Sequence, residues 1–297
     1  MKNLLVLFVL WLPIHAHAAL NVFACEPEWA ALAREVGGDD IKVYAATTAF
    51  QDPHRIEARP SLIAQMRRAD LVVCTGAELE IGWLPVLLRD AGNARVQPGQ
   101  PGYFEAARYV TLLEKPARLD RADGDVHASG NPHIHTDPRN LLRVSSALAT
   151  RLAEIDPAHA SAYRTRGQDF AVRWNKVMAR WQIRAAPLKG MAVAVQHPSF
   201  LYLLNWLEMR TVVTLEPKPG VEPSVGHLAQ VATQLKTTPA KMVLRAAYQS
   251  PRPADWLAQR VGIPAVTLPY TVGGSDRASD VFGLFDDTLD QLLKAAP

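Results

Sequence analysis

From Leu20 onward the chain alternates short apolar runs with helical patterns, and after a long interruption it does so again. LNVFACEP reads as a buried strand and EWAALAREVGG as a helix ending at Gly37-Gly38. IKVYAATT is a second strand, SLIAQMRRA a helix opened by Pro60-Ser61, DLVVCTG a third strand and ARYVTLLEK a fourth. Beyond Pro187 come the strands GMAVAVQH, RTVVTLEP, KMVLRAAY and IPAVTLP, separated by helical patterns and closed by DVFGLFDDTLDQLLKAA. Strands joined by helical crossovers pair in parallel, and a parallel sheet must be covered on both faces. Between the two blocks, Asp137-Pro138 and Asp156-Pro157 each place a capping Asp before a first-turn Pro. The second opens the longest helical pattern, reaching about Ile183, with Tyr163, Phe170, Trp174, Val177 and Trp181 on one face. The fold expected is α/β: two lobes, 19–155 and 188–297, each a parallel sheet flanked by helices, joined by one long rigid interlobe helix within 156–187.

The first residues are of another kind. Lys2, the apolar run Leu4–Pro13 and Ala16-His17-Ala18 read as a signal peptide cleaved after Ala18, so segment 1–18 is set apart. The apolar run is too short to span a bilayer. An exported, periplasmic protein is the expectation. Its two cysteines, Cys25 and Cys74, each end an apolar strand-like run, and an even pair in an oxidising compartment points to one disulfide. The formal charge of +3 and the scatter of Lys and Arg give no footprint for nucleic acid.

In open α/β sheets, ligands sit beyond the carboxyl ends of strands. Four places put chemistry there. His54 follows the second strand in AFQDPHRIEARPS, His133 lies in GNPHIHTDP, and His197 ends MAVAVQH. Asp276 and Asp280 follow IPAVTLP in YTVGGSDRASD. Three imidazoles and a carboxylate make a tetrahedral nitrogen and oxygen site that suits Zn²⁺. Two of the histidines stand in X-Pro-His sequences, Asp52-Pro53-His54 and Asn131-Pro132-His133, where proline lowers the cost of ordering a loop-borne ligand. Each residue also has a plainer reading. A loop histidine is ordinarily solvated, His197 fits a hydrogen-bonded core position, Asp280 fits a helix N-cap and Asp276 a surface turn.

These segments, in this order, resemble the zinc-type periplasmic solute-binding proteins of ABC importers, a group with a rigid helix between two lobes. The resemblance runs through DPHRIEARPS, ADLVVCTGAELEIGWLP, GNPHIHTDPRN, VQHPSFLYLLNWLEM and LEPKPGVEPSVGHLAQV, and covers essentially the whole chain after residue 18. It implies His54, His133 and His197 as ligands of one Zn²⁺. The fourth it implies is Asp280, an acid followed two positions later by Phe282, with Asp276 in reserve. It also implies no enzymatic activity, a monomer, a membrane permease as partner and a role for a periplasmic metallochaperone. The histidine-rich loop that many members carry before the second ligand is short here: RADGDVHASGNPH holds only Asp123, Asp125 and His127 ahead of His133. His127 is expected to capture metal or close the loop. His135 stands where the family has an aromatic or aliphatic residue. In an extended segment it would share a side with His133 and could replace it. The alternatives are a manganese or iron carrier of the same family, a secreted zinc hydrolase using Glu216 or Glu222 as base, and a siderophore or cobalamin carrier that would not need converging histidines.

Overall fold

The computed structural model describes residues 19–118 and 124–297. The expected signal peptide and Asp123 fall outside those residues. Two four-stranded sheets, all parallel, form the frame. The first contains β1 (Leu20–Ala24), β2 (Ile41–Ala45), β3 (Leu71–Cys74) and β4 (Tyr103–Glu105) in the order β2-β1-β3-β4. The second contains β5 (Ala192–Val195), β6 (Arg210–Thr214), β7 (Val243–Ala246) and β8 (Ala265–Leu268) in the order β6-β5-β7-β8. The two orders are the same, shifted by four strands. In each sheet the order reverses beside the first strand, and a crevice opens there at the carboxyl edge.

Helices α1 (Pro27–Gly37), α2 (Pro60–Arg68) and α3 (Leu84–Ala91) follow strands of the first sheet. Helices α6 (Leu201–Trp206), α7 (Val225–Thr237), α8 (Arg252–Val261) and α9 (Val281–Ala295) belong to the second. Between them lie α4 (Pro138–Ile155) and α5 (Ala160–Ala185). Asp137 caps α4 by accepting from the Arg139 backbone N–H at 2.8 Å. No helix of the described residues is long and apolar enough to cross a membrane.

The 26-residue α5 ties both lobes together. Its aromatic face is fully buried at Tyr163, Phe170, Trp174 and Trp181, each burial contributing roughly 1.5–3 kcal/mol. Gly167 lets α4 approach closely, because a Cβ there would meet that of Ala149 at 2.8 Å. On the first-lobe side Arg166 donates to the Val36 carbonyl at 2.9 Å and to Asp40 at 2.6 Å. On the second-lobe side Trp181 Nε1 and Arg184 both donate to Asp286 of α9 at 2.8 Å. The aromatic face belongs to one core that runs continuously from Val22 in β1 to Leu292 in α9.

The fourth strand lies earlier than the pattern of ARYVTLLEK suggests. β4 is Tyr103–Glu105, and Ala106–Tyr109 turn away as a 3₁₀ helix. The physical reason is local. Phe104 fills the inner face of the sheet, and Tyr109 folds back to stack on it at 4.9 Å, so residues 106–109 cover the strand end instead of extending it. Cys25 and Cys74 form a disulfide joining the ends of the neighbouring strands β1 and β3.

Candidate metal centre

Three histidines from three separate segments meet between the lobes. His54 follows β2, His133 precedes α4 and His197 lies two residues beyond β5. Their ring centroids are 5.2–5.8 Å apart, and one ligand nitrogen from each lies within 4.8 Å of the others. A tetrahedral ion with bonds of about 2.1 Å holds its ligands roughly 3.4 Å apart, so small side-chain movements suffice to close the set.

The two X-Pro-His sequences fold into the same device. Asp52 Oδ1 accepts from the His54 backbone N–H at 3.0 Å and faces its Nδ1 at 2.8 Å. Asn131 Oδ1 accepts from the His133 backbone N–H at 3.0 Å and faces its Nδ1 at 2.8 Å. Each is a local side-chain turn with the proline in its middle. The first loop is anchored further by Trp83, whose Nε1 donates to the Pro53 carbonyl at 2.9 Å. His197 has the same arrangement from a distant partner, its Nδ1 at 2.7 Å from Glu216 Oε2. An acceptor at every Nδ1 places the ring proton there and leaves Nε2 as the free lone pair, the form a metal needs. Nε2 of His54 and of His133 are buried without a hydrogen-bond partner.

The electrostatics favour a neutral ring at His133 and at His127. Burial, then the neighbouring His197 and His54, push the His133 imidazole well below its ordinary value. Asp52 is raised by burial, but the hydrogen bond and charge of His54 outweigh that and hold it below the usual carboxylate range. His127 joins the edge of the cluster, its ring 5.4 Å from that of His54. Its Nε2 is also buried without a partner, and burial, then His54, push its ring down to about 4.

The structure does not bring every expected residue to this place. Asp280 is exposed and caps α9, its Oδ1 accepting from the Gly283 backbone N–H at 2.7 Å. Asp276 is exposed on the preceding turn. Among the described residues none of Asp276, Asp280 and His127 belongs to a group of three or more potential ligand atoms within 4.8 Å of one another. His135 is fully buried but faces elsewhere. Ile134–Thr136 is a 3₁₀ turn, not an extended segment, so the rings of His133 and His135 diverge. His135 Nε2 lies 2.9 Å from the Tyr270 carbonyl and its Nδ1 3.2 Å from Glu28 Oε1. Thr271 donates to the other oxygen of Glu28. This is a pin between α1 and the loop after β8, all of it dry. Tyr270 then packs edge-on against both His135 and His133.

Sequence reasoning missed Glu28, Tyr270 and the role of Glu216 as partner of His197. Nothing in their local sequence marks them, because each acts on a residue at least 19 positions away. A second group, Cys25, Cys74 and Glu80, is also close-packed. Its sulfurs are bonded to each other and offer no thiolate. Glu80 instead accepts from the Thr75 and Gly76 backbone N–H groups at 2.7 and 3.1 Å, and burial raises it to about 7.

Comparisons with known proteins show the family and the fold. The family model described as zinc-uptake complex component A, periplasmic (ZnuA), matches residues 22–295. The high-affinity zinc uptake system protein ZnuA of Bacillus subtilis is 22% identical over 249 residues, covering 82% of this chain and 76% of the relative. The manganese ABC transporter substrate-binding lipoprotein PsaA of Streptococcus anginosus is 21% identical over 289 residues, covering 91% and 90%. A crystal structure of ZnuA superposes with a TM-score of 0.78 at 21% identity, covering 94% of this chain and all of that one.

Proposed function

We propose that this chain, which belongs to the ZnuA family of metal-binding solute-binding proteins of ABC importers, takes Zn²⁺ as its cargo. Family members are transport proteins and not enzymes. The relatives include a zinc and a manganese protein, so the choice of ion rests on the donors. One observation carries it: three imidazoles, each with its Nδ1 occupied by an acceptor, converge with Nε2 free. An all-nitrogen group suits zinc, whereas manganese prefers carboxylate, carbonyl and water oxygen. His54, His133 and His197 supply three ligands, and the buried, unpartnered Nε2 of His127 supports that ring as the fourth in place of Asp280. Four protein ligands leave no open position for an activated water. In this reading the protein works in the periplasm as a monomer and hands its ion to a membrane permease.

Metal analysis of the purified protein with its alanine variants tests this. One equivalent of zinc is expected, lost with His133→Ala and kept with Asp280→Ala and His135→Ala. Retention by His133→Ala would end the site assignment. Mn²⁺ outcompeting Zn²⁺ in a titration would end the cargo assignment.

A further inference from the structure

A contact made by Arg55, Asp125, Pro219 and Gly220, none of them a ligand, closes the mouth of this site. The segment Gly124–His127, in the first lobe, lies on the loop Glu216–Gly220 that follows β6 in the second. The Asp125 backbone N–H donates to the Pro219 carbonyl at 2.9 Å. Arg55, next to the ligand His54, donates to the Gly220 carbonyl at 3.1 Å and sits 3.6 Å from the Asp125 carboxylate. At its far end the segment is held by Glu78, which accepts from the Ala128 backbone N–H.

Two glycines make the seat. Gly124 and Gly220 have φ of +82° and +76°, a conformation that side chains resist. Each faces the opposite partner so closely that a Cβ would force a shift, of backbone at Gly124 and of a side chain at Gly220. One on Gly124 would run into the Pro219 carbonyl, and one on Gly220 into the Asp125 carboxylate. The seat is also wired to the site. Glu216 Oε2 accepts from the Gly220 backbone N–H at 2.8 Å and faces His197 Nδ1 at 2.7 Å. Glu216 therefore orients a ligand and the docking loop with one oxygen.

The docked segment separates two clefts that both reach His54. One, of ≈ 200 Å³, is lined by Asp52, Asp125, His197 and Glu216, and the other, of ≈ 440 Å³, by Glu78, Gly124, Asp125 and His127. Asp125 lines both.

We propose that Gly124–His127 is a strap seated on Pro219–Gly220, and that its undocking, not separation of the lobes, sets the rate at which metal leaves. The lobes are also held by the dry pin of Glu28, His135 and Thr271 and by α5. The strap is the weak side, made of partly exposed groups, one backbone hydrogen bond and one from the Arg55 side chain to a carbonyl. Peripheral closures of this kind often govern ligand release. The proposal deepens the carrier reading and rests on it for the cargo.

Zinc release into excess chelator, followed by stopped flow, is the test. Gly124→Ala and Gly220→Ala are expected to start with one equivalent of zinc and release it about tenfold faster or more, with Arg55→Gln changing the rate in the same direction. Both glycine variants folded, loaded and releasing within about twofold of the unmodified protein would overturn the strap. Amide exchange on the unmodified, metal-free protein decides the matter if the variants do not fold. Asp125 is expected to be protected, and exchange at the rate of a free peptide would overturn the proposal. That measurement needs no metal, so a protein that takes up no zinc would sink the cargo assignment and leave the strap to be judged by exchange alone.

Discussion

The histidine cluster lies between two interlobe contacts made from opposite materials. On one side the pin consists of Glu28, His135 and Thr271, each at most 3% exposed. On the other the strap is held by one backbone hydrogen bond, by Arg55 donating to the Gly220 carbonyl and by the Arg55–Asp125 pair, whose side chains are 65% and 36% exposed. A buried charged or polar pair is costly to break because each partner is left stranded without water. An exposed pair is replaced by solvent at almost no cost. The same chain has thus put a fixed joint against His133, through Tyr270, and an opening edge against His54, through His127. The difference lies in what surrounds each contact, since the number of hydrogen bonds is similar.

That contrast can be broken at its strong end first. Glu28→Ala leaves the Thr271 hydroxyl without its carboxylate acceptor in a dry interior and removes the group facing His135 Nδ1, and should lower stability by about 1–3 kcal/mol, read by denaturant unfolding. If it cost nothing, the pin would be no more of a joint than the strap. Acidification loads the space between the two contacts. His133 and His127 are held below the ordinary histidine value of 6.5, His127 at about 4. In that interval the unfolded chain binds protons that the folded chain does not, so folded stability falls as pH drops. The metal-free protein should therefore melt at progressively lower temperature from about pH 7 to about pH 5. A flat profile would mean that the rings take up protons without strain.

Smaller effects sharpen the picture. Asp280→Ala removes an exposed helix cap and should cost about 1 kcal/mol while leaving zinc binding intact, which separates the rim of the second lobe from the site. Arg55→Gln should change stability by less than about 1 kcal/mol yet speed zinc release. A variant that destabilised the fold without touching the rate would reverse the roles given to pin and strap.

Much of the architecture was legible in the chain itself. Eight strand-like runs in two blocks, the capping Asp137-Pro138 and the aromatic stripe of α5 are local patterns, and local patterns follow from backbone and side-chain periodicity. The fourth strand was misplaced because Tyr103–Glu105 is only three residues long, too short to show alternation, and because the apolar residues after it serve to cover its end.

The site divides along the same line. The sequence determined which residues can act as ligands, and in Asp52-Pro53-His54 and Asn131-Pro132-His133 it also determined how each ring is oriented, since the acceptor lies two positions away. It could not determine the destination of a side chain whose partner is far off. His135 meets Glu28 and Tyr270 across more than a hundred positions. His197 meets Glu216, and Gly124 meets Pro219. Asp280 has the composition of a ligand, but its backbone position at the start of α9 commits the carboxylate to the helix amide. Only the tertiary structure decides such cases, because burial and long-range proximity, not residue type, fix which competing hydrogen bond a polar group makes.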